Sequence, residues 1–246
     1  MTTFTPGERS RLKRFHDRGH YDYATIHAIL DAGLIAHVGY LIDGRPFVTP
    51  TAYWRDGNRL FWHGSAASRM LRSQEDGAPV CVTVTHLDGI VLARSGFNSS
   101  INYRSVMAFG TARLLDDAAE VGRQLDRFME RVAPGRAATL RPNHPQELKA
   151  TSVVFMEIDE ASAKIGEGPP EDDEADYALD CWAGVIPITQ VLGVVELDPK
   201  LKPTFSYPPH FVSFVSGRPL EHVMTGNAAT LGRSEEELLD QLLRVV

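Results

Sequence analysis

Apolar and polar residues alternate without a break from Val80 to His86 in the stretch VCVTVTH, as they do along a strand that buries one face. LIAHVGYLI, RPFVTPTAYW and NRLFWHG also read as strands, with Asp43-Gly44 and Asp56-Gly57 between them. Asp-Gly between apolar runs is a strong hairpin signal, so these three segments are predicted to form an antiparallel meander. Asp88-Gly89 predicts a further hairpin whose second arm begins GIVLAR, NYRSVMAFGTARLL predicts a long strand, and SVVFMEIDEA from Ser152 the last strand of the main body. Helical spacing is rarer. Asp22 is placed to cap a helix with Ile26, Ile29 and Leu30 on one face and Gly33 at its end. Asp117 and Glu120 form a capping-box pattern before Val121, Leu125, Phe128, Met129 and Val132, and Pro134-Gly135 ends that helix. SAASRMLRSQ predicts a short helix starting near Ala66.

Short antiparallel strands with tight turns and few helices predict a mainly β fold with flanking helices, built on an antiparallel barrel that is closed or partly closed, and they exclude a doubly wound parallel sheet. Residues 1–20 read as an N-terminal arm, 21–168 as the barrel domain and 169–246 as a C-terminal extension packed on it. The extension opens with GEGPPEDDEADY, whose prolines, glycines and acids predict a solvated surface loop. Its Gly-x-Gly is no dinucleotide fingerprint, because Pro169-Pro170 stand where a helix would have to begin. CWAGVIPI and QVLGVVEL are short apolar pieces, and Ser234 with Glu237 predicts a terminal amphipathic helix striped by Leu238, Leu239, Leu242 and Leu243.

A chain of 246 residues, 43% of them hydrophobic, can bury a sizeable core. Its net charge of −7 leaves no broad basic footprint, so a nucleic-acid partner is not expected. No long apolar run predicts a membrane span, and MTTFTPGERSRLKRF lacks the apolar centre of a secretory signal; a soluble, cytoplasmic protein is the expectation. Cys81 and Cys181 are expected to be free thiols. No metal site is expected, since His16 and His20 are separated by Gly19 and lack a third ligand. No Ser-His-Asp order or G-x-S-x-G supports hydrolysis.

The candidate chemistry lies in RLFWHGSAASRML, residues 59–71, where a strand gives way to a helix. Free N–H groups in a first helical turn carry partial positive charge, Ser65 and Ser68 can donate to phosphate oxygens, and Arg69 adds a charge-assisted contact. The alternative at this point is that Ser65 only caps the helix and Arg69 is a solvated surface charge.

The ordered run from IHAILDAGLIAHVGYLIDGRPFVTPTAYWRDGNRLFWHGSAASRML through PVCVTVT to NYRSVMAFGTARLL resembles the FMN-binding split β-barrel of the pyridoxamine 5′-phosphate oxidase superfamily. More narrowly, it is similar to the flavin-nucleotide-binding branch related to nitroimidazole-resistance proteins. The resemblance implies a homodimer with FMN in the clefts between protomers. It places Thr49, Pro50, Thr51 and Ala52 along the flavin edge, His63, Gly64 and Ser65 at the mouth of the site, and Ser68 and Arg69 on the phosphate. Tyr103, Arg104 and Ser105 would face the cofactor across the interface. The oxidases have Ser-Arg-Lys where this chain has Ser68, Arg69 and Met70, leaving one fixed charge in place of two on the phosphate; they use an Arg-rich C-terminal segment for their phosphorylated substrate where this chain has SEEELLDQLLRVV, which implies a different substrate pocket. The expected function is that of an FMN-dependent oxidoreductase acting on a small molecule with a nicotinamide donor, the flavin supplying the redox chemistry and His63 a weak catalytic candidate. The alternatives are a nitro- or quinone-type reductase, and a non-catalytic flavin or haem binder with His37, His63 or His86 as axial ligand.

Overall fold

The computed structural model describes residues 2–231 apart from 203, 205, 206, 209 and 210; the terminal Leu stripe lies outside the described residues. The meander forms as expected from β2 (Ile35–Ile42), β3 (Arg45–Asp56) and β4 (Arg59–Ser65). Asp43 and Gly44 both take positive φ, 50° and 72°, as a tight two-residue hairpin demands. The long strands β5 (Ala78–Leu92) and β6 (Ser100–Leu114) pair along their length, while β7 (Thr151–Glu157) joins β6 to β4 and β2 pairs with β5. These pairings close a six-stranded antiparallel ring. Two-residue β1 (Gly19–His20) extends the sheet through β8 (Glu160–Gly166), and β9 (Gly184–Pro187) pairs with β5.

The ring is split because its ladders are partial. The first half of β3 pairs with β2 alone, since pairing with β4 begins only at Tyr53 opposite Trp62. Inside the ring, Val38, Tyr53, Trp62, Val82, Val106 and Met156 form the main core, which Ile26, Ile29 and Leu30 of α1 (Tyr23–Ala32) join. Asp22 caps that helix by accepting from Thr25 N–H at 2.8 Å, as its sequence predicts. A second cluster lies outside the ring, where Trp54, Phe61 and Val153 meet Leu125 and Phe128 of α3 (Ala118–Val132).

Two expectations fail. Asp88-Gly89 makes no turn: β5 runs straight through with a register shift between Leu87 and Gly89. Asp88 is held there by both nitrogens of Arg104 that face it, and a Cβ on Gly89 would stand 3.1 Å from the Ile186 carbonyl, so the glycine serves the close approach of β9. The helix expected near Ala66 is confined to α2 (Arg69–Arg72), because Ala66 N–H donates to the Ala150 carbonyl at 2.9 Å and Ala67 N–H to Ser65 Oγ at 3.2 Å.

The outward face of the sheet has an unusual composition. Alternation along β2, β3, β5 and β6 turns Ile35, His37, Leu41, Pro46, Val48, Pro50, Thr83, Leu87 and Met107 outward, an uncharged patch on a face that also turns Asp56 and Arg113 outward. Val48 is 67% exposed and Leu41 60%. An antiparallel sheet that faced water would alternate apolar-in with polar-out. Among the described residues, no helix is long and apolar enough to cross a membrane.

Candidate functional site

The loop that follows β4 is anchored from within. Met70 and Leu71 insert into the main core, Trp62 Nε1 donates to the fully buried Gln74 Oε1 at 3.2 Å, and Arg72 Nε donates to the Ala66 carbonyl. Fixing those residues leaves Ser65 and Arg69 on the exposed side. Ser68 occupies the N-cap position of α2 without using its hydroxyl as a cap, so that hydroxyl is free to serve a ligand. Leu71 closes on Gly64, where an added Cβ would stand 3.2 Å from the Leu71 methyl. The Arg69 guanidinium lies 4.7 Å from the centroid of the Phe47 ring, a cation–π contact, and no carboxylate among the described residues pairs with it.

Phe47 belongs to β3, so this contact brings the loop against that strand. The hydrogen-bonded pairs of the β2–β3 hairpin fall at Arg45, Phe47, Thr49 and Thr51, so the backbone groups of Pro46, Val48 and Pro50 point away from β2, off the free edge. Of these three only Val48 retains an N–H. Proline is tolerated there because an edge residue has no ladder partner to lose. Thr49 Oγ1 is 3.0 Å from the Tyr40 hydroxyl, and Thr51 Oγ1 donates to the Ala52 carbonyl at 3.3 Å. Pro50 and Ala52 lie across from His37 and Ile35 on the outward face.

The residues named from the sequence thus fall into separate places. Arg69, in the loop with Ser65 and Ser68 that follows Gly64, reaches β3 at Phe47, the strand that carries Thr49, Pro50, Thr51 and Ala52. His63 points the other way, under α3, with its ring 4.7 Å from that of Phe128 and 5.8 Å from that of Trp54. Its Nδ1 is buried without a hydrogen-bond partner, and burial pushes its pKa down. Tyr103, Arg104 and Ser105 lie on β6, paired with β5 and β8 and not with β3. Arg104 donates to Asp88 at 2.9 and 2.7 Å and to Glu221 at 2.7 Å, which raises its pKa further. Tyr103 packs over Gly166, where a Cβ would come within 2.9 Å of its ring, and Ser105 Oγ donates to the Lys164 carbonyl at 3.3 Å. A cavity of about 200 Å³ adjoins Arg104, lined also by Thr85, His86, Asp88, Gln190 and Glu221.

Sequence reasoning passed over Phe47 and the Asp88–Arg104–Glu221 group. The first is one aromatic among many in the meander; the second joins residues far apart in the chain. It also read the acidic loop as solvated. Glu171, Asp173 and Glu174 are exposed in keeping with that reading, whereas the Asp172 side chain is fully buried, accepting from Arg94 N–H at 2.8 Å and from Arg94 Nη1 at 3.1 Å, which clasps this part of the loop to the β5–β6 connection.

Residues 22–165 match the family described as pyridoxamine 5′-phosphate oxidase. The flavocytochrome Anf3 from Azotobacter vinelandii is 45% identical to this chain and superposes with a TM-score of 0.82, covering 87% of this chain and 100% of its own. The FAD and heme binding protein from Mycobacterium smegmatis is 36% identical, with a TM-score of 0.78, covering 82% of this chain and 98% of its own. No curated protein matches the chain.

Proposed function

The chain belongs to the pyridoxamine 5′-phosphate oxidase family, and on that premise we propose that it is a homodimeric redox protein that holds a flavin nucleotide in the slot between the free edge of β3 and the loop of residues 65–72. The observation that carries this reading is Arg69, an arginine with an aromatic platform and no acid, beside the unused hydroxyl of Ser68. These residues fit a flavin phosphate: Arg69 supplies a charge-assisted contact, Ser65 and Ser68 supply hydroxyls, and α2 presents the unpaired N–H groups of its first turn. The edge groups of Pro46, Val48 and Pro50 would orient the ring along the strand. A bound flavin supplies hydride and electron transfer. Packing the uncharged patches of two copies together would exclude water from the slots beside them. We further propose a small-molecule substrate, a nicotinamide donor and a cytoplasmic setting.

A second reading adds haem, and FAD in place of FMN. It is favoured by the relatives named as a flavocytochrome and as a FAD and heme binding protein, because 87% coverage of this chain by the first cannot be reached without much of the segment beyond residue 165. Of the three histidines named for haem, His63 is enclosed by aromatic rings and His86 Nε2 lies 3.0 Å from the Ile29 carbonyl, whereas His37 offers an exposed ring on the outward face. His37 is therefore the axial ligand this reading selects.

The test is the identity of what the purified protein releases on denaturation, with the affinity of Arg69→Ala measured alongside. FMN or FAD is expected, with haem as well under the second reading. A lost charged hydrogen bond costs about 1.5–3 kcal/mol, so the variant should bind the flavin nucleotide roughly 10- to 150-fold more weakly and riboflavin unchanged. Equal loss of both ligands would remove Arg69 from the phosphate site, and a protein that binds no flavin would overturn the reading.

A further inference from the structure

Cations rest on aromatic rings at several places in this chain, and what accompanies them differs. Arg9 over Phe109, Arg59 over Phe155 and Arg94 over Tyr177 each also pair with a carboxylate, that of Glu160, Glu157 and Asp172 respectively. Apart from Arg69, the cations without an acid gather on one ring. Around Phe15 the guanidiniums of Arg14 and Arg18 lie 5.0 and 4.9 Å from the ring centroid, and the Lys164 ammonium lies 5.5 Å from it. Among the described residues none of these three side chains forms an ion pair or a hydrogen bond, and Asp17, between two of them in sequence, pairs with none. The ring is held there against its own preference: Phe15 has φ 53° and ψ 53°, the left-handed region that a bulky side chain avoids. Its surroundings are fixed. Arg18 N–H donates to the Phe15 carbonyl at 3.1 Å, Leu12 N–H donates to the Tyr21 hydroxyl at 2.9 Å, and Gly19 pairs with Lys164, which brings the lysine of β8 to the arm.

We propose that Arg14, Phe15, Arg18 and Lys164 form a binding site for a compact, multiply charged anion, a phosphate ester or a diphosphate. One ring offers each cation a weak attraction, while the three charges repel one another with no acid to offset them. An anion among them removes that repulsion. The two guanidiniums supply planar forks of donors to phosphate oxygens, and the ammonium supplies a point charge. The size of the cluster selects this class of ligand. Three cationic centres within 5.5 Å of one point match the oxygens of one or two phosphate groups. A nucleic acid or an anionic membrane is instead held by a broad basic face, which a net charge of −7 does not provide. The site is also distinct from the slot at Arg69. Lys164 lies on β8 and Phe47 on β3, with β6, β5 and β2 between these strands, so the proposal does not depend on the flavin reading.

The experiment is a calorimetric titration of the full chain with pyrophosphate and, separately, with ADP. It is run in an Arg69→Ala background, so that neither probe reports on the slot at β3. Saturable binding of at least one of the two is expected, the tighter one telling a nucleotide from a free diphosphate. Arg14→Gln, Arg18→Gln and Lys164→Gln should each weaken binding about three- to fivefold, the size of one exposed ion pair, and the three together at least about 30-fold. Phe15→Leu keeps every charge but removes the surface that gathers them, and should weaken binding at least about twofold. Arg11 and Lys13 are exposed on the same arm and touch no ring, so Arg11→Gln and Lys13→Gln should stay within about twofold of the parent. Circular dichroism should be the same for all of these variants. Equal losses at Arg11 and Lys13 would reduce the site to diffuse attraction and overturn it. So would the absence of binding by either probe, or capture of the protein on phosphatidylserine vesicles without binding of either soluble anion. Flavin released by the parent protein on denaturation bears on the other reading alone: bound flavin without pyrophosphate or ADP binding removes this site and leaves that one, and the reverse result does the opposite.

Discussion

Arg69 in the loop of residues 65–72 and Arg104 in the middle of β6 are both reached by solvent, in opposite circumstances. Arg104 is fully engaged: three hydrogen bonds to Asp88 and Glu221 tie two barrel strands to α5 (Leu220–Thr230). Arg69 rests on the face of Phe47, and no acid of its own chain answers its charge. A cation neutralised by carboxylates from distant parts of the chain serves tertiary structure, whereas one held in place by packing alone keeps its charge for something else. Arg131 marks the extreme of the first kind. It is 1% exposed, and its guanidinium donates to the carbonyls of Asp31, Gly33 and Met224, binding the end of α1 to α5 through backbone oxygens.

That contrast breaks most visibly at Arg131. Arg131→Ala removes the donor shared by the carbonyls of Asp31, Gly33 and Met224 and leaves a cavity among three helices, so it should lower unfolding free energy by about 3–5 kcal/mol in urea titrations. Arg104→Ala strands two carboxylates that solvent partly reaches. The expected loss is about 1–2 kcal/mol, with flavin affinity changed less than about threefold, and a larger affinity loss would move Arg104 into the binding site. Acid should weaken the protein through His63 and His27, both of whose pKa values burial pushes down. Their contribution is complete above the unfolded value of 6.5 and falls as pH drops below it, because the unfolded chain takes up the protons first; each histidine contributes at most about 1.4 kcal/mol per pH unit. The slope of stability between pH 6.5 and 5 should diminish in His63→Phe. Arg69→Ala should change stability least, by under about 0.5 kcal/mol, while changing nucleotide affinity most. A variant that lost both would erase the difference between the two arginines.

Much of the barrel was legible because its signals are local. A period of two, paired with Asp-Gly where the chain must reverse, specifies β2, β3 and β4 without reference to anything distant. The same dipeptide at Asp88-Gly89 misled for a tertiary reason: a guanidinium from β6 and a carbonyl from β9 hold β5 extended through it. Short-range reading likewise overextended α2, whose start is set by a bond to Ala150 far along the chain. At the site, the sequence singled out Ser65, Ser68 and Arg69 by their crowding at a change of period. It could not rank Arg69 against Arg104, since their difference lies in Asp88 and Glu221, and no spacing rule links residue 104 to residue 221. His63 drew notice as a polar residue at a strand end, but strand alternation alone does not say that α3 covers that side.

The free edge of β3 bears on how the protein survives at high concentration. An unpaired strand flanked by apolar residues is a template on which other chains can zip into fibrils. Pro46 and Pro50 strip two of three successive edge positions of their N–H groups, so an incoming strand finds acceptors with almost no donors and cannot build a ladder. The edge is therefore closed to polymerisation while its acceptors stay accessible, and replacing both prolines would be expected to turn it into a seed for aggregation.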